Sequence, residues 1–302
     1  MDPALEQLGW TEDQWNRICT TVTEEAQRVR VAAQILPVVG PEDPSTVAVP
    51  PYSMNYTAIA PAAPAGRPTQ FMEITSDPTL YLTKISVLVE VRSREAADPA
   101  LSAALSMFRR AANVIARAED ALVFNGRTAG PAGVINRTNT LPPIFGINGI
   151  PVGATAPGLL NSPATVILPN PFVGGDIVTA VSEAIGQLDA GGFSEPYACA
   201  LDHSAFDAVC TPTLALVLPR DRILPFLQGG SLVRASAISP LVAGVRGVVV
   251  ALGGNPVELV MATDMSVNYL QTTASTETRY VFSVSERVAL RIKEPKAIAI
   301  IT

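Results

Sequence analysis

The chain has 302 residues, a formal net charge of −6, and 16% charged against 48% hydrophobic residues, few of them aromatic. That length supports one large domain or two smaller ones, and the acidic balance without a basic run argues against a phosphate backbone as the main partner. Low charge with positive mean hydropathy leaves apolar surface that a single copy would struggle to hide, which points to self-association.

Three cysteines, Cys19, Cys199 and Cys210, are too few and too scattered for a disulfide framework. The opening "MDPALEQLGW" has no basic n-region or apolar h-region, so a cytoplasmic protein is expected. No apolar run approaches the length of a membrane span.

In chain order, Thr11 with Gln14 three residues on predicts a capped helix start. Trp15, Ile18, Val22, Ala26 and Val29 then form one apolar stripe, which Pro37 ends. Residues 41–70 are proline-rich yet carry Tyr52, Met54, Tyr56, Ile59 and Phe71 in or beside them, so they predict an extended arm or hairpin lying on a neighbouring subunit. "LYLTKISVLVEV" alternates as a strand. Asp98-Pro99 predicts an N-cap and first helical position, followed by a long helix with Leu101, Leu105, Phe108, Ala112, Ile115 and Leu122 buried, stopped by Asn125-Gly126. Residues 126–175 read as loop, 176–188 as a second amphipathic helix, and Asp202-His203-Ser204 as a short helix start after a buried strand. The remainder reads as strands, closing on "AIAII", whose Ile298, Ile300 and Ile301 require some surface to cover them.

Chemistry-bearing patterns are sparse. His203 is the one histidine, with no nucleophile elbow around any serine. No zinc spacing, P-loop or dinucleotide fingerprint occurs. The acidic pairs Glu119-Asp120 and Glu24-Glu25 are expected on exposed helix faces. No catalytic residue and no metal site are assigned, and a structural building block is expected.

Four stretches taken together resemble a known family. They are "LGWTEDQWNRI…EEAQRV" with "VVGPED"; "ADPALSAALSMFRRAANVIARAEDALVFNGRTAGPAGVIN"; "DIVTAVSEAIGQLDAGGFSEPYACALD"; and "VMATDMSVNYL…TRYVFSVSERVALRIKEPKAIAII". In order and spacing they are similar to the encapsulins, bacterial nanocompartment shell proteins that also bear the linocin bacteriocin name. The resemblance implies an α+β tailed-phage major capsid fold with an N-terminal helix and arm (1–44), an extended loop (45–82), a peripheral domain with a spine helix (83–126 and 241–302) and an axial domain (127–240). It implies that "AIAII" completes the peripheral sheet, and that sister copies cover the arm and the apolar edges. It further implies a shell that encloses a cargo enzyme held by the cargo's C-terminal targeting peptide, docked on Val31, Gln34, Ile35, Met265 and Val267. "CTPTLALVLPRDR" falls at the family's five-fold pore loop, making Thr211, Thr213, Leu214, Ala215 and Leu216 candidate rim residues, with buried packing as the alternative. Ala33 and Pro37 stand where the family often has charged docking residues, so the cargo peptide is expected to be more apolar, or the site has decayed. The segment 138–175 looks longer than the family's counterpart. "LVEVRS" lacks the tryptophan on which one group stacks a flavin, so no cofactor is expected; nor is nucleic acid or membrane. The alternatives are a phage or prophage major capsid protein packaging DNA, and a bacteriolytic enzyme, which a lone histidine disfavours.

Overall fold

The computed structural model describes residues 9–58, 70–76, 78–127, 144–148, 151, 154–212, 217–238, 244–273 and 277–302. Helix α1 (Glu12–Val29) starts as its sequence predicts. Thr11 Oγ1 accepts from the Gln14 amide at 3.2 Å, and Gln14 Oε1 accepts from the Thr11 amide at 2.9 Å. Ile18, Val22 and Ala26 are buried on its inner face. A single turn, α2 (Ala32–Ile35), and β1 (Val38–Val39) lead into the proline-rich stretch. That stretch yields β2 (Ala48–Val49), β3 (Ser53–Ala58), β4 (Gln70–Thr75) and β5 (Leu80–Tyr81). β3 and β4 pair antiparallel from Ser53↔Thr75 to Ala58↔Gln70, so the expected arm takes the form of a hairpin.

Strand β6 (Thr83–Arg92) buries Ile85, Val87, Val89 and Val91 on one face, the period-two pattern of its sequence. After the single turn α3 (Ser93–Ala96) comes the spine helix α4 (Ser102–Asn125). At 24 residues it is about 36 Å long. Its start differs from the Asp98-Pro99 expectation. Pro99 lies outside the helix, buried Leu101 is the N-cap in the left-handed region, and the Asp98 carboxylate instead accepts from the Ala100 and Ser102 amides, each at 3.0 Å. Its end is as predicted. Gly126 has φ +72°, and a Cβ there would meet the backbone of Gly158 at 2.5 Å, so both conformation and space demand glycine.

The stretch expected to be loop contains β7 (Phe145–Asn148) and β8 (Ala164–Val166). Then follow α5 (Gly174–Ala190), β9 (Tyr197–Leu201), α6 (His203–Cys210) and α7 (Pro219–Leu227). Asp202 caps α6 by accepting from the Ala205 amide at 2.7 Å. Helix α7 escaped the sequence reading because Pro225 interrupts its pattern, although Pro219 occupies a favoured first position. The chain closes with β10 (Leu232–Arg234), β11 (Gly247–Ala251), β12 (Val257–Thr273), β13 (Arg279–Ile292) and β14 (Ile298–Ile301).

Two five-stranded sheets organise these elements, in the orders β1-β12-β13-β6-β7 and β10-β9-β11-β14-β8. Helices α1 and α4 pack on the first sheet, and α5 packs on the second. One continuous apolar core runs through both. The placement of β14 corrects the expectation drawn from the terminal sequence. It lies in the second sheet, antiparallel to β11 and parallel to β8, rather than beside β12 and β13. All four of its residues are buried within the chain itself, so no sister copy is needed to cover them. β9, β11 and β14 are apolar at every position because each is an inner strand with both faces covered.

Candidate functional site

The candidate docking segments meet at one buried arginine. Arg30, at the C-terminal cap of α1, places Nε 2.7 Å from Glu119 Oε2 on α4 and Nη1 2.7 Å from Asp264 Oδ1 on β12; its Nη2 pairs with Glu286 on β13. One residue further on, the Asp120 carboxylate accepts from the Val31 and Ala32 amides at 3.0 and 2.8 Å. A single turn of chain is thereby tied to a helix and two strands distant in sequence.

Glu119, Asp120 and Glu286 are all buried, which overturns the exposed-face reading of Glu119-Asp120. Glu25 is buried too, paired with Arg28 and accepting from Asn113 at 3.0 Å, while Glu24 is exposed as expected. The spacing held the information. Glu119 lies four residues after Ile115 and three before Leu122, on the buried stripe itself. Burial raises Glu119 well above the usual carboxylate range, with the nearby Glu286 adding to it. It raises Glu286 likewise, and pushes Asp120 up to about 7 despite its two amide donors. Burial works against the Arg30 charge, but Glu286, Glu119 and Asp264 outweigh it and hold the guanidinium protonated.

The five predicted docking residues divide around this cluster. Gln34 is exposed and Val31 half-buried, so both present surface. Ile35, Met265 and Val267 are buried by the chain's own side chains, at 3%, 6% and 8% exposure. They form a floor rather than an open contact face.

A second set of side chains, missed by the sequence reading, fixes the arm. Arg287 donates to the carbonyls of Pro44 at 3.2 Å and Thr46 at 2.8 Å. Arg291 donates to the Pro50 carbonyl at 3.3 Å and lies 5.0 Å from the centre of the Tyr52 ring. Arg291 and Lys293 are anchored in turn by buried Glu258. Beneath the strap so formed, Val49, Leu82, Val260, Ala262 and Ala289 make a small separate core. Beyond it the hairpin carries exposed Met72 and Ile74. Between β6 and α4 lies a largely apolar cavity of about 360 Å³, lined by Val87, Val89, Met107 and Ala111, with exposed Leu88 and Ile144 beside it.

Of the candidate pore residues, Thr211 caps the end of α6, exposed, with its hydroxyl donating to the Asp207 carbonyl at 2.8 Å. Thr213, Leu214, Ala215 and Leu216 lie outside the described residues. His203 is exposed on α6 with Nε2 3.3 Å from Asp207 Oδ2, an ordinary surface pair. Burial pushes the Cys199 thiol up to about 12, which leaves it unreactive. Among the described residues no cluster of His, Cys, Asp or Glu is placed to hold a metal ion, and no helix is long and apolar enough to cross a membrane.

The same architecture occurs in solved particles. A virus-like particle from Pyrococcus furiosus matches with a TM-score of 0.67 at 13% identity, covering 97% of this chain and 100% of that one. The capsid of Myoviridae phage XM1 matches with a TM-score of 0.58 at 14% identity, over 88% and 89%. The capsid of a native GTA particle matches with a TM-score of 0.54 at 18% identity, over 92% and 89%. At such identities these likenesses establish the fold, that of the tailed-phage major capsid proteins. No curated protein sequence matches the chain. The family model described as "Encapsulating protein for peroxidase" matches residues 6–146 and 147–289, nearly the full length, and the chain belongs to that family, the encapsulins.

Proposed function

We propose that this chain is the repeating unit of a closed shell that encloses a cargo enzyme and admits small molecules through openings at its symmetry axes. The observation that carries the reading is the β3–β4 hairpin. A two-stranded ribbon is marginal in water on its own, yet this one bears Met72 and Ile74 at 63% and 58% exposure. A neighbouring copy supplies the missing cover, and repetition of such a contact around symmetry axes closes the particle. Family membership and the particle folds of the structural relatives support the same reading.

In this arrangement the first sheet with α4 is the peripheral domain, and 127–240, joined by β11 and β14, is the axial domain. The end of α6, with exposed Thr211, faces the pore. The cargo's C-terminal peptide docks where Val31 and Gln34 reach the surface above the floor of Ile35, Met265 and Val267. The shell protein contributes containment rather than catalysis.

The test is size-exclusion chromatography with negative-stain microscopy on the protein purified alone. Uniform closed particles free of nucleic acid are expected. Particles filled with DNA would make it a phage-type capsid, and a stable monomer at all concentrations would end the shell reading. Mass spectrometry of native particles identifies the cargo.

A further inference from the structure

The cluster around Arg30 contains a feature that shell-building does not require. Glu119 on α4 and Glu286 on β13, both buried, close on one and the same guanidinium, that of Arg30. Ionised carboxylates only accept, so two buried ones with too few donors between them favour a bound proton. Glu119 Oε1, Glu119 Oε2 and Glu286 Oε1 are buried and find no hydrogen-bond partner among the described residues, the Arg30 Nε contact with Glu119 being off line for a hydrogen bond. The charged groups facing the pair come from every packed element: Arg30 from α1, Asp120 beside Glu119 on α4, and Asp264 from β12. Asp264 is half exposed, leaving three buried carboxyls to one buried guanidinium. Full ionisation would set like charges against each other across the seam between α4 and β13, where little water can screen them.

We propose that the Glu119–Glu286 pair is a proton-operated latch that closes the α4–β13 seam beneath the N-terminal helix and loosens it as pH rises. The sign follows from linkage. Carboxyls that bind protons more tightly when folded stabilise the fold fully below their unfolded pKa, and that contribution is lost as pH rises through the folded value. Asp120 acts in the same direction, over the interval from its ordinary range to about 7. Glu25 and the exposed Asp43 and Asp98 are held below their usual range, so they act oppositely and only in stronger acid.

The molecule carries its own reporter. Its two tryptophans, Trp10 and Trp15, flank the start of α1 and lie 5.4 and 6.3 Å from the Phe282 ring, four residues before Glu286 on β13. Tryptophan emission and its quenching by acrylamide, followed on the full-length protein from mildly acid to mildly alkaline pH, read the seam directly. Emission is expected to shift to the red and quenching to rise as pH increases. Glu119→Gln keeps a donor in place at all pH values, so the part of the rise above the Asp120 range, about 7, should disappear. Glu286→Gln removes the repulsion as well and should abolish the same part of the rise. Infrared titration of the wild type adds a direct readout that needs neither variant to fold, a carboxylic-acid C=O band that persists above the Asp120 range, about 7, and vanishes in stronger alkali. A wild type without that band, or a Glu119→Gln protein that keeps the wild-type profile, overturns the latch. Neither result touches the shell reading, since the measurement needs neither closed particles nor cargo.

Discussion

Phe282 shows how a single side chain sets the position of the N-terminal helix. It is fully buried, stacks on Trp10, and meets Phe108 and Tyr269 edge-on at 5.3 and 5.6 Å. Phe282→Ala therefore opens a cavity where α1, α4 and β12 converge, and should lower unfolding stability by roughly 3–5 kcal/mol. Chemical denaturation followed by tryptophan emission measures it, and a loss below about 1 kcal/mol would show that the helix is held elsewhere. At this scale the apolar stripes were open to reading, because periodicity alone says that Ile18, Val22 and Phe108 face inward. Glu119 was not. Solvation makes exposure the default for a carboxylate, and only a basic partner justifies burial. That partner, Arg30, is 89 residues away in sequence and is brought close by the fold alone.

Among the elements, the terminal strand and the strap behave differently. The apolar run of β14 announced its burial, but not the sheet that buries it. Its partners β8 and β11 are short runs whose pairing is set by the approach of α5 and by the turn at Pro295–Ala297. Deleting residues 298–302 would expose the flanks of both β8 and β11, removing an inner strand rather than a frayed end. Such a chain should accumulate as insoluble protein on expression; a soluble truncation with wild-type circular dichroism would show that the second sheet closes without it. The strap, by contrast, rests on a few polar contacts over a small core. Arg287→Ala removes two charge-assisted hydrogen bonds, worth roughly 1–3 kcal/mol locally. Limited proteolysis within residues 43–54 should accelerate while the global unfolding temperature barely moves. Unchanged cleavage would assign the strap to its apolar underside alone.

For the whole molecule, the division between what one copy buries and what it leaves exposed locates the assembly contacts. The interior is complete: both sheets are closed by helices, and even the last strand is covered from within. Low charge and positive hydropathy suggested that surface was left over, but composition alone cannot say where. The hairpin does. Met54 lies opposite Ile74 in its register and Tyr56 opposite Met72, so Ile74 and Met72, two residues apart on one strand, share a face of the ribbon. Both extend beyond the body of the chain's own core, and changing them costs the isolated fold little, within about 0.5 kcal/mol as for other surface positions. A neighbouring copy that packs on this face would, however, have to bury a carboxylate without a partner. The double change Met72→Asp and Ile74→Asp should therefore leave circular dichroism and unfolding temperature near wild type. It should also shift the protein from closed particles to a small species on size exclusion. Particles that persist would place the decisive contact elsewhere, with the exposed Leu224 and Phe226 of α7 as the next positions to change.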